Sequence, residues 1–68
     1  MNRNLPSIEF RAKSSLTRVE CVDLTVTDCG DGDVEIEGTV DSYNDRVMAI
    51  TVTRALPGVR RITDLMRH

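Results

Sequence analysis

The sequence predicts an α+β fold of order αββαβ: a single small domain with a three-stranded mixed sheet and two helices packed on one face. Three observations carry this. Apolar residues recur at helical spacing over 8–20 and 42–56, they alternate with polar ones over 22–27 and 33–40, and Pro57-Gly58 separates the second helical stretch from a β-branched run. At 68 residues there is room for one core only. A chain of that size buries about 60% of the surface its unfolded form exposes, so it folds alone with a thin margin. Residues 1–6 read as an N-terminal tail and 7–68 as the domain.

In the first helix, Ile8, Ala12, Leu16 and Val19 form one stripe, with Ser7 as N-cap, Glu9 in the first turn and Phe10 off the stripe; the helix is expected to reach Glu20. The period then becomes two. Val22, Leu24 and Val26 alternate with Asp23, Thr25 and Thr27, and Cys21 is placed to open this strand. Asp28 to Asp33 has turn composition, after which Val34, Ile36, Gly38 and Val40 alternate with acids and Thr39, completing a hairpin. Ser42 and Asp45 mark the start of the second helix, which is expected to run to about Leu56 before Pro57-Gly58 stops it. Val59 to Met66 is the last strand.

Gly38 in a strand points to close approach of another backbone or a helix, and Gly58 to a left-handed turn after the helix. Both are read as structural.

The charge balance, 9 Lys+Arg against 11 Asp+Glu, has the wrong sign for nucleic-acid binding through the overall field. Two cysteines, Cys21 and Cys29, are too few for a disulfide scaffold and lack a CxxC spacing or a paired His, so each is expected to be a free thiol, either a small semi-buried residue or an incidental exposed one, with Cys29 the more exposed. The single His, His68, is terminal, which leaves no nucleophile with its base; no catalytic residue is assigned and no enzyme is expected. Asp28, Asp31, Asp33 and Glu35 crowd the hairpin without the spacing of a calcium loop, so neither a metal nor a cofactor is expected. No apolar run approaches the roughly 20 residues of a membrane span, and the first residues carry no secretory signal. As written the chain is expected in the cytoplasm, or in the periplasm if it is a piece of an exported protein.

The run Gly32-x-Val34-x-Ile36-x-Gly38-x-Val40, followed by Ser42, Arg46, Ala49, a small residue at 53, Leu56 and Gly58-Val59-x-x-Ile62, resembles the BON domain of bacteria. The likeness covers nearly the whole chain and is most specific from Gly32 to Met66. Thr53 departs from the family's usual Ala, Asp64 from its common Asn, and the hairpin loop is longer and more acidic. The resemblance implies a non-catalytic module of envelope or periplasmic proteins, proposed to bind phospholipid, in a bacterial envelope or stress setting. It transfers no binding residue, because the shared positions are glycines and core apolars. A KH-type RNA reading would require a basic GxxG loop between helices, which is missing.

The candidate binding surface comes from the second helix. Met48, Ala49, Val52, Ala55 and Leu56 are expected to face the sheet, leaving Tyr43, Val47 and Ile50, flanked by Arg46 and Arg54, as an outer apolar stripe with a basic border. Such a stripe suits anionic phospholipid or an envelope protein, including a second copy in a homodimer. Arg60, Arg61 and Arg67 make the last strand basic while the hairpin is acidic.

Overall fold

The computed structural model describes residues 7–68, so the expected tail lies outside the described residues. The order is α1 (Ile8–Arg18), β1 (Leu24–Gly30), β2 (Asp33–Thr39), α2 (Tyr43–Arg54) and β3 (Arg61–Arg67). The sheet runs β1-β2-β3, with β1 antiparallel and β3 parallel to the central β2. Both helices lie on one face, α1 over β1 and α2 over β3, touching each other. The core between the layers is Ala12, Leu16, Leu24, Val26, Val34, Ile36, Val40, Ala49 and Met66, with Cys21 at its end. The αββαβ arrangement and its mixed three-stranded sheet are therefore as the periodicities require.

Local chemistry explains each boundary. Ser7 Oγ accepts from the Phe10 N–H at 3.0 Å and Ser42 Oγ from the Asp45 N–H at 3.1 Å, so each helix opens on a hydroxyl cap. Helix α1 stops at Arg18, two residues before the expected Glu20. Glu20 has φ +67, its N–H donates to Thr17 O, and the Cys21 N–H donates to Leu16 O. That is the paired closure in which a left-handed residue turns the chain off the helix axis, here without the usual glycine.

The turn also displaces Val22. The chain bends again at residues 22–23 and β1 pairs only from Leu24, so Val22 is exposed and Cys21 precedes the strand. At the other end β1 is longer than expected. The turn contracts to Asp31-Gly32, both at positive φ, the left-handed pair that matches hairpin twist. One extra residue, Cys29, bulges between the Asp28–Val34 and Gly30–Asp33 pairs. The long acidic loop is thus mostly strand. Helix α2 ends at Arg54 with Ala55 as its cap, short of Leu56, and β3 begins at Arg61 rather than Val59 because its parallel register starts at Asp33–Arg61.

Gly38 is the tightest point in the sheet. It has φ +135, and a Cβ there would sit 2.3 Å from the carbonyl oxygen of Asp23 and 3.1 Å from Leu24 Cα. The close neighbour is backbone, which cannot move aside as a side chain can. Gly58 is also left-handed at φ +95, but a Cβ there would meet only Ile8 Cδ1 at 3.7 Å, an ordinary van der Waals contact.

Two stability outcomes follow from the core. Gly38→Ala should lower stability by at least about 2 kcal/mol, seen as a fall of about 10 °C or more in the thermal midpoint; an unchanged melting curve would contradict the clash. Thr53 is fully buried on α2 and its hydroxyl has no hydrogen-bond partner among the described residues. Thr53→Val keeps the shape and removes that group, so it should stabilise by about 1 kcal/mol, a gain in midpoint that differential scanning calorimetry resolves.

Candidate functional site

Helix α2 presents the main apolar surface, although it is rotated from the expected orientation. Ala49 and Thr53 are its buried residues, and Ile50 packs partly against the core. Met48 and Ala55, expected inside, are exposed. The rotation has a visible cause. Arg46 reaches over to β3, where a terminal guanidinium nitrogen donates to the Met66 carbonyl and Nε lies 3.4 Å from Asp64 Oδ2. Drawing Arg46 toward β3 carries Ile50, one turn on, inward on the same side and turns Met48 out.

The exposed set is therefore Tyr43 (68% accessible), Val47 (42%) and Met48 (40%), with Arg54 exposed at the far end of the helix. Of the five expected site residues, Tyr43, Val47 and Arg54 face solvent, Ile50 is half-buried and Arg46 is committed to β3. Met48 is the member that sequence reasoning misplaced. Its helical angle lies at the boundary between the two faces, so only the Arg46 contact decides its side.

Charge is divided by element, with β3 of the sheet carrying Arg61 and Arg67 against Asp64. The two helices carry five cations (Arg11, Lys13, Arg18, Arg46, Arg54) against two carboxylates (Glu9, Asp45), whereas β1 and β2 carry Asp28, Asp33, Glu35 and Glu37 and no cation. The helix side is thus positive on a chain of net charge -2. Some of these cations have neighbours of their own: Arg11 Nη1 donates to the Pro57 carbonyl at 3.2 Å. On the far side of the sheet, Leu65 of β3 is also exposed.

Two of the depressions formed by the described residues are shallow rather than cleft-like. One, of about 30 Å³, is lined by Glu20, Cys21, Asp23, Val40, Asp41 and Asp45 among others. That is room for about one or two waters. The other, of about 150 Å³, is lined by Glu37, Gly38, Thr39 and Arg67. Among the described residues no three His, Cys, Asp or Glu side chains are placed to hold a metal ion. His68 Nε2 lies 3.1 Å from the Asp41 carbonyl oxygen, with no nucleophile beside it among its hydrogen bonds.

Both cysteines are free, Cys21 buried and Cys29 exposed. Burial first, then the charge of Asp45, pushes the Cys21 thiol up from its ordinary 9.0. Cys29 is also raised, by residual desolvation against the sheet and, more tellingly for an exposed group, by the carboxylates of Glu35, Asp28 and Asp33. Neither is an activated thiolate. Compared with known proteins, the chain matches no family model and no curated protein.

The thiols give a direct check on this picture. At pH 7 a thiol reagent should label Cys29 alone, and Cys21 only after denaturation; mass spectrometry showing two labels on the folded chain would contradict the burial. The sign of any pH effect is fixed as well. A folded pKa above the unfolded one means that the neutral Cys21 thiol supports the fold below about pH 9 and withdraws that support as pH climbs through the raised value.

Proposed function

We propose that this chain is a non-catalytic binding module of the BON kind that lays the outer face of α2 against an anionic phospholipid surface, in a bacterial envelope or stress setting. One observation carries the reading: Tyr43 and Val47, one turn apart on α2, are exposed, as is Met48 beside Val47, on helices whose charge is positive, while the acids of the hairpin lie on β1 and β2. An aromatic and two aliphatic side chains insert shallowly at a headgroup boundary, and each basic residue near an anionic surface adds about 1 kcal/mol. The acidic hairpin then faces away from the membrane. No helix among the described residues is long and apolar enough to cross a bilayer, so contact of this kind is peripheral.

A second reading, protein association through the same face including homodimerisation, draws on the fate of Arg46. With its guanidinium committed to β3, Arg54 is the remaining cation on α2, and Asp41 and Asp45 flank the start of the helix. Aromatic and Met side chains bordered by one arginine also suit a protein interface.

Flotation with phosphatidylglycerol or phosphatidylcholine vesicles, at low and physiological salt, tests the first reading. Selective and salt-sensitive flotation on phosphatidylglycerol is expected, reduced about tenfold or more in a Tyr43→Asp/Val47→Asp variant, whose substitutions fall at exposed positions and whose circular dichroism is expected to match the wild type. Flotation equal in wild type and variant, or none on either lipid, sinks it. Concentration-dependent mass in the absence of vesicles would then favour self-association.

A further inference from the structure

The two edges of the sheet differ. Arg61 N–H donates to Gly32 O at 3.2 Å and Val40 N–H to Arg67 O at 2.8 Å, at opposite ends of the β2–β3 ladder. In a parallel pair this parity turns the backbone groups of Arg61, Thr63, Leu65 and Arg67 toward β2, and those of Ile62, Asp64 and Met66 toward the free edge. Met66 is closed off there: its N–H donates to Asp64 Oδ1 at 2.9 Å and its carbonyl accepts from Arg46. Ile62 and Asp64 keep their N–H and C=O groups turned outward on a strand with no bulge. The edge of β1 is blunted, by the bulge at Cys29 and by Glu9 Oε2, which accepts from the Asp28 N–H at 2.9 Å.

The free edge is also basic. Arg60, Arg61 and Arg67 are all exposed, and the one acid of β3, Asp64, is engaged with Arg46 and the Met66 N–H. Arg61 has Asp33 at 3.9 Å, yet its side chain remains 75% accessible. Side-chain parity adds a pattern. Ile62 shares the helix-side face, near the partly buried Ile50, while Arg61 and Arg67 lie on the open face with Thr63 and Leu65.

From this we infer that the free edge of β3 accepts an extended acidic peptide segment of a partner protein by strand addition opposite Ile62–Asp64. Main-chain hydrogen bonds give attachment and alternate side chains give selectivity, as in other strand-addition sites. Carboxylates at every second position come beside Arg61 and Arg67, and small apolar residues between them come beside Ile62. A second copy of β3 fits less well, because it would bring the arginines of two strands together. This site is separate from the outer face of α2 and does not depend on lipid binding.

The probe is a seven-residue, end-capped peptide alternating Glu and Val, titrated into the full chain labelled with nitrogen-15. Before addition, the amides of Ile62 and Asp64 should exchange with solvent much faster than those of Arg61, Thr63 and Leu65. On addition, shifts should centre on Ile62 and Asp64, weaken about tenfold between low and physiological salt, and be lost in an Arg60→Glu/Arg61→Glu variant. A peptide with N-methylated valines keeps its charges but loses alternate backbone donors, and should not bind. Equal binding of the N-methylated peptide reduces the effect to charge attraction and overturns strand addition. So does the absence of shifts at these two amides. Shifts at the same amides that grow with protein concentration alone identify the occupant as a second copy and overturn the acidic peptide.

Discussion

The orientation of α2 hangs on one contact, the guanidinium of Arg46 laid across β3 between the Met66 carbonyl and the Asp64 carboxylate. A helix whose only fully buried residues are Ala49 and Thr53 has little side-chain relief with which to fix its own rotation. Arg46 supplies the missing constraint. It sets Ile50 inward and Met48 outward, closes one position of the β3 edge, and removes a cation from the border of the exposed apolar face. The residues around it are half-exposed, so screening by solvent keeps its net strength modest, and its role is directional more than energetic.

Most of the fold is legible in the sequence because each element has its own local signal. The two Ser caps, the period-two runs of Leu24–Val26 and Val34–Ile36, and the Pro57-Gly58 break owe nothing to distant neighbours. What the pattern misses lies where tertiary contact or unusual backbone decides. Glu20 adopts a left-handed conformation that its side chain does not advertise, and so the helix ends early and Val22 swings into solvent. Cys29 reads as loop because a bulge carries no compositional mark. In the candidate site, Tyr43, Val47 and Arg54 follow from helical angles alone, whereas the fates of Met48, Ile50 and Arg46 require knowledge of an acid and a carbonyl on the neighbouring strand β3. The open edge of β3 depends on hydrogen-bond parity, to which sequence patterning is blind.

Asp64 and Thr53 each tie a single side chain to the packing around α2. Asp64 accepts from the Met66 N–H through one carboxylate oxygen and pairs its charge with Arg46 through the other, a double role open to an anion with two oxygens. Thr53 fills a small, fully buried place on α2 but adds a hydroxyl with no hydrogen-bond partner among the described residues. A domain this small has on the order of 0.1 kcal/mol per residue in hand, so one unsatisfied group is a visible fraction of the total. Small size makes such details consequential.

The sheet also has a kinetic side. The β1–β2 pairing closes across two residues, Asp31 and Gly32, while the β2–β3 pairing brings Asp33 to Arg61 only after the whole of α2 has been laid between them. Closing the short loop is a microsecond event; parallel pairing carries the larger chain entropy and waits on the crossover. Loop closure alone predicts that the hairpin forms first and β3 last, an order that φ-values at Val26 and Met66 measure directly. In a chain built this way, the strand that forms last is also the one whose outer edge stays open.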